Sequence, residues 1–391
     1  MENKINIVIH RGTKQIGGCC TEIFTNKSRI LIDFGQPLPE ENQECMNIDG
    51  VTSGKKNCDG IILTHYHMDH IGEINNVLPT IPIYMGAAAK EIVIAYENYI
   101  NKEITEIVQN INVFNEEETF MLGEFKVTPI LSDHSSFQAY MFLIQIYDKT
   151  ILHTGDFRLH GPQKDRLIDK IKKYKDIDLI ITEGTTLTRK NDENDEDWTE
   201  YSVKKKLGEY LKRYKYCFLL TSSSNIDRIS SFAQEIKRYF IVDDFQKEVL
   251  NIAAKYDENC KKYFEKVRTY GVNIQDRFEN KGFGMVVRAN GRFEKIVKYY
   301  IEKYPEDTCL IYSMWSGYKK LDSISKFVKL FKDTFFVHSS GHVVLQDLNS
   351  ILNVMKPKRI LFIHTESKIS EINIDLRDRI IKIADGEIIS I

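Results

Sequence analysis

Apolar residues in the first half of the chain fall in short runs separated by turn-forming residues. "INIVIH" (5–10), "RILIDFG" (29–35), "GIILTH" (60–65) and "IPIYMG" (81–86) are rich in β-branched side chains and bounded by Gly, Asn or Asp. Each predicts a strand. "FKVTPI" (125–130), "YMFLIQIY" (140–147), "TILHTGD" (150–156) and "DLIITEG" (178–184) repeat the pattern. Between them, "AKEIVIAYENYINKEITEIV" (89–108) has the length and period of one helix. Strands dominate, with helices between some of them, as in a two-sheet α/β sandwich.

The pattern changes after "RKNDENDEDWTEYS" (189–202), which is acidic, has no apolar period before Trp198 and predicts an exposed linker. Beyond it, helical and strand patterns alternate. "TEYSVKKKLGEYLKRY" is helical, "CFLLTSS" (217–223) a buried strand, "IDRISSFAQEIKRY" helical and "FIVDD" (240–244) a strand. Such alternation predicts a parallel sheet. Near the end, "SILNVMKPKRILFIHTE" (350–366) predicts helix, turn and strand, and "RIIKIADGEIISI" (379–391) a hairpin turned at Asp385-Gly386.

A chain of 391 residues exceeds one ordinary core, so two domains or one domain with a large insertion are expected. The opening "MENKINIVIH" lacks the apolar segment and cleavage pattern of a secretory leader. No apolar run approaches ~18 residues, so no membrane partner is expected. Seven scattered cysteines without a CxxC pair suit reduced thiols and a cytoplasmic location. The net charge of −2 hides an asymmetry: residues 201–342 carry +10 and the remainder −12. Two units with different partners are implied.

Candidate chemistry centres on "GIILTHYHMDHIG", where a buried strand runs into three histidines and an aspartate. His65 and His67, two apart on an extended segment, face the same way. Asp69 and His70 follow, at the start of a helix beginning near Ile71. Two metals side by side fit this arrangement. Imidazole and carboxylate without thiolate suit Zn²⁺, with Mn²⁺ the other choice. Of the ten histidines, His134 in "LSDHSS", His338 and His342 in "HSSGH", and His364 in "FIHTE" recur at strand ends or polar turns. Asp156, in "ILHTGDFR", also ends an apolar strand.

The order HxHxDH, His, Asp and a late His resembles the metallo-β-lactamase fold, through "THYHMDHIG", "LSDHSSFQAY" and "HTGDFRLHG". "ITEGTT", "HSSGH" and "FIHTE" are similar to the further motifs of its β-CASP subgroup, whose members are nucleases. Within it the chain most resembles ribonuclease J, as "SSSNIDRISSFA" also suggests. The resemblance implies an αββα sandwich with an inserted α/β domain: residues 1–196, an insertion at 197–342, and a return at 343–391. It implies one metal held by His65, His67 and His134, a second by Asp69, His70 and His364, and Asp156 bridging two Zn²⁺ or Mn²⁺ ions. Glu183 would support the site, and His342 would meet the substrate phosphate, with Ser339, Ser340 and Gly341 shaping an anion pocket. Ribonuclease J carries a further C-terminal domain, whereas this sequence runs 27 residues past His364, and "ESKISEINID" departs from the usual continuation. A homodimer is among the assemblies the resemblance allows.

A two-metal site polarises a water and clamps the oxygens of an in-line phosphoryl displacement. A hydroxide bridging the metals would attack, Asp69 would orient it, and His342 would serve the leaving oxygen. The basic stretch would attract a phosphate backbone. The expected activity is therefore exo- or endonucleolytic cleavage of single-stranded RNA. The alternatives are a DNA-directed nuclease and a small-molecule hydrolase acting on a thioester, lactone or phosphodiester.

Overall fold

The computed structural model describes residues 4–100, 105–188, 198–271, 275–366 and 376–391. The chain divides into two compact units, one of Met1–Leu159, Gln163–Lys190 and Gly341–Ile391, the other of His160–Pro162 and Asn191–Ser340. The expected boundary at 196/197, most of the acidic linker and all but the first residue of "ESKISEINID" lie outside the described residues.

The first unit opens with β1 (Asn6–Arg11), β2 (Cys20–Phe24), β3 (Arg29–Ile32), β4 (Gly60–Ile62), β5 (Ile83–Gly86) and β6 (Asn112–Phe114). It continues with β7 (Phe120–Leu122), β8 (Phe125–Leu131), β9 (Tyr140–Ile146), β10 (Lys149–His153) and β11 (Leu179–Glu183). The second unit holds β12 (Tyr216–Leu220), β13 (Tyr239–Val242), β14 (Arg268–Thr269), β15 (Phe283–Val287), β16 (Thr308–Tyr312) and β17 (Thr334–Phe336). The chain then returns with β18 (Ile360–Ile363), β19 (Ile380–Ile381) and β20 (Ile388–Ser390).

Among the described residues the first unit has two seven-stranded sheets, ordered β20-β1-β2-β3-β4-β5-β6 and β19-β18-β11-β10-β9-β8-β7. In each, one half is antiparallel and the other parallel. Ile7, Ile9, Ile23, Ile30 and Ile32 of the first sheet meet Val127, Phe142, Ile144, Ile151 and Ile181 of the second in one core. The alternate residues Met141, Leu143, Leu152 and Ile180 pack instead against Leu167, Ile171, Leu348 and Leu352 of the helices Lys164–Ile171 and Leu345–Met355. The period-two alternation thus buries both faces of this sheet. On the first sheet, helix Ala87–Tyr99 packs against β5 and β6 with Ala88, Ile92 and Ala95 buried. These layers are the expected αββα sandwich.

The second unit is a six-stranded sheet in the order β14-β13-β15-β12-β16-β17, parallel throughout. The alternating pattern predicts this, although β15 and β16, central to the sheet, are not among the runs picked out from sequence.

Three local expectations fail. The single helix over 89–108 is two: the first ends at Tyr99, and Thr105, extended, starts Glu106–Gln109 by accepting a hydrogen bond from Val108 N on its hydroxyl. A cap residue supplies a fresh N-terminus within an otherwise continuous apolar pattern. The helix expected near Ile71 is instead the single turn Met68–Ile71, ending where it was expected to begin. The hairpin over 379–391 is absent. β19 pairs with β18 and β20 with β1, so the turn at Asp385-Gly386 carries the chain from one sheet to the other. Ile381, Ile389 and Ile391 pack on the core between the sheets, which a hairpin on one sheet could not achieve.

Candidate metal centre

The site is built where strands end. Asp33 follows β3, His65 and His67 follow β4, His134 follows β8, Asp156 follows β10, Glu183 closes β11 and His364 follows β18. The strands are fixed by the core, so the residues just beyond them are held by a rigid frame. Two of these residues adopt left-handed backbone, Asp33 at φ 61° and His364 at φ 52°. That costs about 1–2 kcal/mol for each residue with a Cβ. The turn bearing Asp69 and His70 is laid on the loop after β3 by two backbone bonds, Phe34 N to His70 O (2.7 Å) and Gln36 N to Met68 O (3.0 Å), and on the residue before β2 by a third, Cys19 N to Asp69 O (2.9 Å). Gly35 is required there, because a Cβ would stand 1.7 Å from Asp69 O.

Hydrogen bonds fix the imidazole tautomers. The Thr64 hydroxyl donates to Asp33, so it accepts from His65 Nδ1 at 3.1 Å. His70 Nδ1 donates to Asp33 Oδ2 (2.8 Å), and His134 Nδ1 to Gly341 O (2.7 Å). The Thr185 hydroxyl points to His364 O, so it accepts from His364 Nδ1 at 2.6 Å. In all four rings Nδ1 is tied outward and Nε2 faces inward, the arrangement that orients metal-binding histidines.

The inward nitrogens form two groups. His65 Nε2 and His134 Nε2 stand 3.0 Å and 3.3 Å from His67 Nδ1. Donors of a tetrahedral Zn²⁺ with ~2.05 Å bonds are ~3.3 Å apart, so this triad fits an ion closely. Burial, reinforced by their mutual repulsion, holds His65 well below the ordinary histidine value. Burial likewise holds His134 well below it and brings His67 to about 4. The rings are therefore neutral, the ligand form.

The second group is carboxylate-rich. Asp69, His70, Asp156 and His364 each offer a donor atom within 4.8 Å of the others. His364 Nε2 lies 3.2 Å from Asp69 Oδ2 and 3.6 Å from Asp156 Oδ2. The rings of His70 and His364 stack with centroids 5.3 Å apart. His70 Nε2 is 3.3 Å from Asp156 Oδ2 but out of hydrogen-bonding alignment, and it has no hydrogen bond among the described residues. Burial alone would lower His70, but Asp156, Asp33 and Asp69 pull it well above its ordinary value. Burial opposes ionisation of Asp156 too, yet His364, His70 and His342 hold it well below the usual carboxylate range. Asp156 Oδ2 also reaches to 4.0 Å from His65 Nε2, so it touches both groups.

The remaining candidates are placed as follows. Glu183 is fully buried; one oxygen accepts Phe157 N (2.8 Å) and the other meets His342 Nδ1 (2.9 Å). It thereby ties His342 to the chain just after Asp156. Gly341 lies so close that a Cβ would stand 2.7 Å from Ser135 Oγ and 3.1 Å from His134 Cε1. Ser339 and Ser340 belong to the second unit. There the Ser339 hydroxyl donates to Glu200 (2.6 Å) and accepts from Arg228 (3.0 Å), and Ser340 O accepts from His160 Nε2 (2.8 Å).

Five residues escaped the sequence reading. Asp33 anchors His70 and Thr64, and Thr185 anchors His364. The Arg158–Asp133 pair, both fully buried, braces the loop before His134 with a 3.1 Å bond. Cys19 lies beside His70 and His364. Only Asp33 carried a signal, since it ends an apolar strand just as Asp156 does.

A profile of the beta-lactamase superfamily domain matches residues 28–212. The protein named Probable RNase MJ4 of Methanocaldococcus jannaschii is 23% identical over 412 residues, covering 92% of this chain and 93% of that one. Ribonuclease J of Mycoplasma genitalium is 21% identical, covering 91% of this chain and 67% of the relative. Ribonuclease J of Sinorhizobium meliloti is 24% identical over 57% of this chain and 42% of its own length. A crystal structure of an Enterococcus faecalis V583 protein of unknown function superposes with a TM-score of 0.77 at 17% identity, covering 99% of this chain and 100% of that one.

Proposed function

We propose that this chain, a ribonuclease J-like protein of the metallo-β-lactamase fold, is a metal-dependent hydrolase that cleaves phosphodiester bonds of single-stranded RNA. The observation that carries the reading is the outward tethering of four imidazoles through Nδ1, which turns their Nε2 atoms onto His67 and the carboxylates of Asp69 and Asp156. His65, His67 and His134 would hold one divalent ion, and Asp69, His70 and His364 a second, with Asp156 shared. Zinc suits this donor set, and manganese is the other candidate. Bound ions would lower the pKa of a coordinated water and offset charge on the phosphoryl group.

The chain's own residues supply the rest. Asp69 orients the attacking water by accepting a hydrogen bond from it. His342 meets the substrate phosphate and delivers a proton to the leaving oxygen. Glu183 is a positioning residue, holding His342 by Nδ1. In the "HSSGH" turn the Ser339 hydroxyl is committed to Glu200 and Arg228. The phosphate therefore falls to His342 and the backbone beside Gly341. The +10 charge of residues 201–342 draws in a polyanion.

Purified protein loaded with two equivalents of zinc or manganese should degrade end-labelled single-stranded RNA, and duplex more slowly. KM should rise with salt at a log–log slope of roughly −0.7 in affinity per phosphate contacted. Equal cleavage of DNA would redirect the proposal to a DNA nuclease. Hydrolysis of thioesters or lactones, with no nucleic acid cut at low salt, would overturn it.

A further inference from the structure

We propose that Trp315 and Tyr318, in the second unit, form a stacking platform for one unpaired base of the strand that this protein cleaves. The inference rests on the nuclease reading above and names residues which that reading does not use. β12, β16 and β17 run parallel, so the segments that follow them leave the same end of the sheet. Ser313, Met314 and Trp315 follow β16, and Val337 and the "HSSGH" turn follow β17. These two segments are tied together. Ser313 N donates to Leu220 O (2.9 Å), and Val337 N to Tyr312 O (3.0 Å). Arg228 donates at once to Ser313 Oγ, Val337 O (3.3 Å) and Ser339 Oγ (3.0 Å). The segment bearing Trp315 is therefore anchored to the turn from which the chain reaches His342, three residues after Ser339.

The two rings are held in place without being core. Met314 packs on the core of the second unit, whereas Trp315 is half-buried and Tyr318 is 44% exposed. The Tyr312 hydroxyl donates to Trp315 O (2.9 Å), and Trp315 opens the short turn Ser316–Lys320. The far edge of the indole lies against Gly317, where a Cβ would stand 2.3 Å from Trp315 Cη2. A larger residue there would push the ring away. Tyr318 meets the indole edge to face, with centroids 5.5 Å apart and planes at 83°. Rings set in advance lose little freedom when a ligand arrives. The charge beside them selects the occupant. Lys319 is committed to the rings of Tyr312 and Phe336, 4.9 and 4.7 Å from their centroids. Lys320 is exposed, and the nearby carboxylate of Asp322 is paired with Lys326. An aromatic face with an exposed ammonium beside it suits a base and its phosphate. Every base offers such a face, so the platform grips single strands with little regard to sequence.

Trp198 and Trp315 are the two tryptophans of the chain, so Trp198→Phe leaves Trp315 as the sole indole reporter. The whole chain carrying this change, kept metal-free to prevent cleavage, should lose indole emission when a short single-stranded RNA is added. A strand of tetrahydrofuran residues, which keeps the phosphates and lacks the bases, should leave the emission unchanged. With Trp198 in place, Trp315→Ala should weaken RNA binding about tenfold, the scale of one lost stack. Trp315→Tyr should restore most of that loss, and both variants should bind the base-free strand as the wild type does. Emission that both strands change alike would overturn the platform and leave the nuclease reading standing. This readout keeps the indole in place, so it holds even if Trp315→Ala fails to fold. Binding of neither strand, with no nucleic acid cut by the metal-loaded protein, would overturn both.

Discussion

Two buried charge clusters, one in each unit, differ in how completely they are satisfied. In the second unit Arg228 is fully buried, and its guanidinium gives two bonds to Glu200 (2.7 and 3.3 Å), one to Ser339, one to Ser313 and one to Val337 O. Ser339 returns a bond to Glu200, closing the network. In the first unit the inward nitrogens of His65 and His134 meet another imidazole nitrogen, His67 Nδ1, and His70 Nε2 has no hydrogen bond among the described residues. A closed cluster serves the fold. An open one, kept at strand ends and partly on left-handed backbone, holds valences that the fold does not use, and such sites are where function sits.

The sharpest way to break the contrast is to open the closed cluster. Arg228→Met leaves Glu200 charged and buried without its main partner, which should cost about 3–5 kcal/mol. Urea unfolding of the purified variant reads this directly. Metal content should stay at the wild-type level. A loss below ~1 kcal/mol would show that the network is not what holds the second unit.

The converse change touches the open cluster. Asp156→Asn removes the carboxylate that lies 3.3 Å from His70 and 4.0 Å from His65. Elemental analysis should find both metal equivalents reduced, and kcat should fall about 10²–10³-fold, the scale for losing one preorganised charged group. Stability of the metal-free protein should fall far less than in Arg228→Met. Full occupancy at both positions would remove Asp156 from its shared role.

The same contrast explains what was legible in the sequence. Residues of the open cluster follow apolar strands, so "GIILTHYHMDH", "TILHTGD" and "ILFIHTE" each advertise a polar group at the end of a buried run. The strands themselves were visible because both faces are covered, giving nearly unbroken apolar runs. Glu200 and Arg228 gave no such signal. They lie 28 residues apart on two helices, and nothing local distinguishes them from solvated charges. Thr185 and Cys19 were hidden for a similar reason: each becomes relevant only when a distant strand end is brought beside it. The tail misled because Asp385-Gly386 is good turn chemistry in either a hairpin or a crossover. Only the packing of Ile381 and Ile389 on the shared core decides between them.

Asp33 tests how far the tethers matter. Asn tolerates the left-handed conformation at this position, so Asp33→Asn should fold. It removes the charge that fixes His70 Nδ1 and should weaken metal binding at the carboxylate-side position by about 10–100-fold. Isothermal titration with zinc should show one weakened step of two. Two unchanged steps would mean that backbone geometry alone orients His70.

The smallest expected effect asks whether closure, rather than membership of one unit, makes a cluster structural. Glu22 lies in the first unit, on β2, and is nearly buried. It accepts two bonds from Arg29 (2.9 and 2.8 Å) and pairs with His10 at 2.6 Å. Burial by itself would raise its carboxyl, but the bonds from His10 and Arg29 outweigh this and hold it below the ordinary 4.5. A lowered folded value means stability that is fully present above 4.5 and is lost as pH falls through that lower value. Glu22→Gln should therefore cost ~1.5 kcal/mol at neutral pH, the scale of a hydrogen bond to a charged group, with no change in metal content. The gap between variant and wild type should then shrink as unfolding is repeated below pH 4.5. A gap that stays constant with pH would assign the effect to packing, and the closed cluster on β2 would owe its stability to shape and not to charge.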